Sequence, residues 1–87
     1  MRKLTAEEMN LLRAIANGQT LKSHRYVDGT KVYKLHALDG SIEVVPREIV
    51  KLLYAQGLIE TNQKFPASTY WLTEKGQHWL NQSSNNN

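Results

Sequence analysis

Cysteine is absent from the 87 residues of this chain, which excludes disulfide staples and thiolate metal sites. Secreted domains of this size often depend on such staples, so the composition leads us to expect a cytoplasmic protein. No apolar run approaches the ~20 residues that a transmembrane helix needs, and no membrane partner is expected. The opening residues, Met1 to Glu8, are basic and then acidic, unlike the apolar stretch of a signal peptide. Glycine-rich phosphate loops and serine nucleophile elbows are also missing. The three histidines, His24, His36 and His78, lack the H-x-x-x-H spacing of a metal site. That leaves a composite site across two strands or, more simply, solvated and half-buried side chains. Carboxylates are scattered singly except Glu7-Glu8, which the dipole of a starting helix explains. The residues therefore predict no enzyme, no catalytic residue, no metal ligand and no cofactor.

What the chain does have is a 40% hydrophobic content and a formal charge of +3, from 11 Lys and Arg against 8 Asp and Glu. The length allows one small domain, read here as residues 1–81, followed by a polar tail at 82–87 with nothing to bury and therefore expected to be disordered. The mild positive charge permits nucleic-acid binding without demanding it. How the charge is distributed has to decide.

Hydrophobic spacing predicts an amphipathic helix over residues 5–17. Thr5 and Glu8 form a capping-box signature, Met9, Leu11, Leu12, Ile15 and Ala16 make the apolar stripe, and Asn17-Gly18 is the stop. Residues 20–27, 30–38 and 41–45 then read as a three-stranded meander, because Asp28-Gly29 and Asp39-Gly40 are hairpin signals. With two-residue loops at both turns, Tyr26 faces Lys31, His24 faces Tyr33, Ala37 faces Ile42 and Leu35 faces Val44. That register predicts a core face of Tyr26, Tyr33, Leu35, Ala37, Ile42 and Val44. Arg25, Lys34, His36 and Glu43, with Ser23 and Val32, fall on the solvated face. A longer loop would swap the sets.

Pro46 opens a helix over 46–56 with Ile49, Val50, Leu52 and Leu53 as its buried stripe. Arg47, Lys51 and Tyr54 stand at i, i+4 and i+7 along another side. Gly57 can close that helix in the left-handed conformation. Residues 59–62 and 69–72 read as a hairpin around 63–68. Thr73 caps a last helix, 73–80, that buries Trp79 or Leu80. The expected class is α+β in the order α-β-β-β-α-β-β-α.

The segment Gly57-Leu58-Ile59-Glu60, followed by Tyr70-Trp71-Leu72-Thr73-Glu74-Lys75-Gly76, resembles the second half of bacterial winged helix-turn-helix domains. The likeness covers residues 46–80, and helix 5–17 fits as the first helix. It implies a winged-helix-like fold and a DNA-binding regulator or accessory factor of bacterial or mobile-element origin. The chain departs from the pattern at 39–45, which reads as a strand where the family carries its second helix. The whole-chain order is also loosely similar to a family of small bacterial toxin-like proteins that includes a topoisomerase inhibitor. Leu12, Gly18, Arg25, Gly29, Leu52, Leu58-Ile59 and Tyr70 carry that likeness, and it implies a protein-directed role.

Under the first resemblance, helix 46–56 is the reader. Arg47 is suited to guanine, with Lys51 and Tyr54 on a base edge or phosphate. Lys64, Gln63, Asn62 and Ser68 at the wing tip suit phosphate or the minor groove. Arg25 and Lys34, with His36, add charge from the meander. The bland reading makes these ordinary solvated positions. The expected partner is double-stranded DNA, aided by a homodimer on a two-fold site. In the alternative, the domain is a protein-interaction module or inhibitor whose anchors are Phe65, Tyr54 and Trp71. Phe65 either folds back on Tyr70 or Trp71 or serves as a partner-binding knob.

Overall fold

Capping, turn chemistry and apolar spacing account for most of the elements. The structure, a computed structural model, describes residues 4–64 and 66–85. Helix α1 spans Ala6–Ala16, and strands β1 Thr20–Arg25, β2 Lys31–His36 and β3 Ile42–Val45 follow. Helix α2 is Arg47–Ala55, strands β4 and β5 are Ile59–Thr61 and Ala67–Leu72, and α3 is Glu74–Asn85. The class is α+β. The five strands form one antiparallel sheet in the order β3-β2-β1-β5-β4.

The capping box of α1 is formed: the Glu8 amide donates to Thr5 Oγ1 at 3.2 Å, and the Thr5 amide donates to Glu8 Oε1 at 2.9 Å. Leu11 and Leu12 are its buried apolar residues, with Met9 and Ile15 packed beside them, while Ala16 is exposed. On α2, Val50 and Leu53 are buried. Ile49 and Leu52 are half-buried. Gly57, at φ +76°, closes the helix. At the other end of the wing, the Thr73 hydroxyl donates to the Gly57 carbonyl at 2.6 Å and accepts from the Gly76 amide at 3.0 Å. One side chain thus caps α3 and ties it to the end of α2. Leu80 joins the core and Trp79 packs against it.

The meander corrects the register expected from its turns. Both loops contain three residues, not two: Tyr26 exchanges backbone hydrogen bonds across 27–29, and Ala37 across 38–40. A type I′ turn needs a positive φ at both central residues. Here Asp28 and Asp39 keep negative φ, and only Gly29 and Gly40, both at +92°, are left-handed. The extra residue slides each pairing by one place, so that Ser23 faces Tyr33, Arg25 faces Lys31, Leu35 faces Glu43 and Tyr33 faces Val45.

Because side chains alternate along a strand, a one-residue slip changes the face of a whole strand. Tyr33 and Leu35 stay on the core side as expected, but their neighbours there are Leu21, Ser23 and Val45. Ser23, Arg25 and Glu43 share that side. Tyr26, Ile42 and Val44 are 43%, 56% and 65% exposed instead of buried. The helices cover the core side, where Tyr33 and Tyr70 lie 6.1 Å apart between ring centroids. The other face of the sheet stays open.

Two further differences concern the C-terminal part. Strand β5 begins at Ala67, two residues earlier than expected. Helix α3 continues to Asn85, so residues 82–85 are helical where a tail without structure was expected. Backbone hydrogen bonding lets a polar segment prolong a helix that is already nucleated. Residues 86–87 lie outside the described residues. No helix among the described residues is long and apolar enough to cross a membrane.

Candidate nucleic-acid interface

The slipped register brings two cations onto the covered side of the sheet. Arg25 ends β1 and Lys31 begins β2, and the two are cross-strand partners. The next row inward is Tyr33, Ser23 and Ser68, on β2, β1 and β5. Helix α2 crosses above this end of the sheet and supplies Lys51 and Tyr54. The loop between β4 and β5 supplies Gln63 and Lys64. Together these groups line a cleft of about 390 Å³, with Tyr70, Thr61, Val50 and Pro66 completing its walls.

Among the described residues four cations, Arg25, Lys31, Lys51 and Lys64, border the cleft, and no carboxylate does. They come from four separate segments, so no single stretch of sequence carries the cluster. Like charges gathered at a concave, partly apolar wall focus a positive potential and attract anions. Lys31 Nζ sits 5.4 Å from the centre of the Tyr33 ring, a cation–π distance that holds the ammonium at the cleft.

Several hydrogen bonds fix the walls. The Arg25 amide donates to the Pro66 carbonyl at 2.8 Å, which ties the end of β1 to the wing loop. The Ser68 hydroxyl donates to the Lys64 carbonyl at 2.6 Å. Asn62 Oδ1 accepts from the amides of Lys64 and Thr69 at 3.3 and 3.2 Å, closing the loop on itself. Gln63 is the one non-glycine residue with positive φ among the described residues, at +53°. In that conformation its Nε2 donates to the Tyr54 hydroxyl at 2.9 Å and joins the wing to α2.

The floor holds an unbalanced group. Ser23 is 2% exposed, and its hydroxyl has no hydrogen-bond partner among the described residues. Leaving a buried hydroxyl unsatisfied costs about 1–3 kcal/mol.

Six residues singled out from the sequence therefore meet at one place: Arg25, Lys51, Tyr54, Gln63, Lys64 and Ser68. Arg47 is exposed in the first turn of α2 and does not line the cleft. Lys34 lies on the open face of the sheet, with Lys22, His24 and His36, away from the helices. Trp71 is on that open face too and is 44% exposed. Phe65 lies outside the described residues. Sequence reasoning missed Ser23, Tyr33 and Tyr70 as site residues, and placed Lys31 only as the expected strand partner of Tyr26. The Gly29 and Gly40 positions held the signal, since a three-residue loop would have put Arg25 and Lys31 on the covered side.

Among the described residues no group of three or more His, Asp or Glu side chains is arranged to hold a metal ion. No family model, curated protein or solved structure matches this chain.

Proposed function

We propose that this chain is a small nucleic-acid-binding domain of winged-helix-like build that binds double-stranded DNA through the basic rim of the cleft between α2, the wing and the first hairpin. The carrying observation is the convergence of Arg25, Lys31, Lys51 and Lys64 around a cleft without a carboxylate. The order of elements supports the build: β1 pairs with β5 and β5 with β4 beside α1 and α2, and the β2–β3 hairpin stands where a second helix would be. Phosphate contacts by the four cations would supply most of the affinity, with the role of a regulator or accessory factor following from DNA binding.

Retention on duplex DNA over a salt series tests this reading. The wild type should bind at low salt and release as salt rises. Replacing Arg25, Lys51 and Lys64 together with Glu should abolish retention, whereas Arg47→Glu, outside the cleft, should weaken it less. Wild-type protein that passes straight through at low salt would sink the proposal.

One observation favours a second reading, a protein-interaction module. Ile42 and Val44 are 56% and 65% exposed on the open face of edge strand β3, beside a strand edge that pairs with no other strand among the described residues. A second copy of the chain is the simplest partner. Sedimentation should then detect a dimer in the wild type that Ile42→Ser with Val44→Ser removes. A monomer at every concentration counts against self-association by this face.

A further inference from the structure

Resting on the nucleic-acid reading, we propose that the cleft receives a single phosphorylated nucleotide unit outside a duplex, its phosphate held by the rim cations and the Ser23 hydroxyl. A duplex presents its phosphates on a convex outer surface, and a basic rim alone would satisfy them. This site is concave, and about 390 Å³ lies at the small end of the range for small-ligand pockets.

The depth of Ser23 carries the inference furthest. At 2% exposed its unpartnered hydroxyl is beyond reach of a phosphate passing over the rim. Its oxygen is closed to solvent, so only a group that enters the cleft and displaces the side chains covering it can accept its proton. The neighbouring Ser68 hydroxyl is already committed to the Lys64 carbonyl, which leaves Ser23 and the Tyr33 phenol as the donors of that row. The cross-strand pair Arg25 and Lys31 stands one row outward, next to where an oxygen accepting from Ser23 would carry its negative charge. Charge-assisted hydrogen bonds from two sides suit a phosphate. On the opposite wall Tyr54 is 39% exposed and its hydroxyl is held by Gln63, so its ring offers a fixed face for an unstacked base. A terminal nucleotide of a strand and a free mononucleotide share this chemistry.

Binding titrations at fixed low salt test the inference with a blunt duplex, a single-stranded oligonucleotide, adenosine monophosphate, adenosine and inorganic phosphate. The monophosphate should bind, and adenosine and phosphate should each bind at least about tenfold more weakly. Ser23→Ala should lower monophosphate affinity about tenfold, the loss of one hydrogen bond to a charged group. It should leave duplex affinity and thermal stability undiminished, because the hydroxyl has no partner to lose. Gln63→Ala provides a second variant at an exposed site and should also weaken the monophosphate. An oligonucleotide that binds far more tightly than the monophosphate identifies a strand as the source; comparable affinities identify the free nucleotide.

If the duplex is retained but the monophosphate does not bind, or Ser23→Ala leaves its affinity unchanged, the nucleotide cleft is overturned while the nucleic-acid reading stands. Monophosphate binding that depends on Ser23, with neither duplex nor single strand retained, reverses that result: the cleft stands and the nucleic-acid reading fails. Inorganic phosphate binding as well as the monophosphate would overturn a nucleotide as the occupant.

Discussion

Gln63 concentrates the relation between strain and function at the level of one residue. A left-handed non-glycine backbone costs about 1 kcal/mol, and here it holds the side chain against the Tyr54 hydroxyl. Gln63→Gly should leave stability unchanged or raise it by up to about 1 kcal/mol, while weakening nucleic-acid binding. Thermal unfolding beside a binding titration checks both halves, and a clear loss of stability would show that no strain is stored there. Gly76 makes the opposite case. Ala is favoured over Gly within a helix by about 1 kcal/mol. Yet a Cβ at Gly76 would crowd the Leu58 carbonyl oxygen and come within 2.8 Å of Leu72 Cδ1. Overpacking should prevail, so Gly76→Ala is expected to destabilise by about 1–3 kcal/mol. At about 4–8 °C per kcal/mol for a domain of this size, calorimetry would detect it readily; an unchanged or higher Tm would mean that α3 shifts freely away from Leu58.

Among elements, the two meander hairpins share one device. Asp28 Oδ1 accepts from the Thr30 amide at 2.9 Å, and Asp39 Oδ1 accepts from the Ser41 amide at 2.9 Å and its hydroxyl at 2.6 Å. The Thr30 amide, followed by its hydroxyl, holds Asp28 below the ordinary aspartate value of 3.8. The Ser41 hydroxyl, followed by its amide, does the same for Asp39. A carboxylate whose pKa is depressed on folding stabilises the fold fully above its unfolded value and loses that contribution as pH falls through the folded value. The window therefore lies below pH 3.8. Replacing Asp28 and Asp39 with Asn keeps an oxygen acceptor and removes the titration. Acid unfolding of this double variant should be less steep than wild type below that pH. Identical acid limbs would mean that the turns contribute nothing to acid sensitivity.

Across the whole molecule, one side of the sheet is closed by helices and ends in the basic cleft, and the other is open. Binding driven by the cleft should follow counterion release, with log affinity falling by about 0.9 per phosphate neutralised for each tenfold rise in salt. Four engaged cations give a slope of roughly −3 to −4. Lys64→Ala should flatten that slope by about 1 and weaken different duplex sequences about equally, as expected of a phosphate contact. A slope that stays the same would exclude Lys64 from the interface. Lys34→Ala, on the far face, should change neither the affinity nor the slope.

Local sequence determined the elements because their signals act over a few residues. Thr5 and Glu8 capped α1, Pro46 and Gly57 bracketed α2, and Thr73 began α3 where expected. Much of the cleft was also legible, since Arg25, Lys51, Tyr54, Gln63 and Lys64 stood out as polar or basic residues on strands, a helix face and a loop. Tertiary structure decided which of them meet. One added residue in each meander loop turned Ser23 and Arg25 toward the helices and Ile42 and Val44 away, because strand side chains alternate and pairing offset is set by backbone dihedrals at the turn. Lys34 and Arg25, similar in sequence terms, thereby ended on opposite faces. The buried Ser23 hydroxyl was invisible for the same reason: burial belongs to the packing of β1, β2 and β5 under α2, and no neighbour in the sequence encodes it.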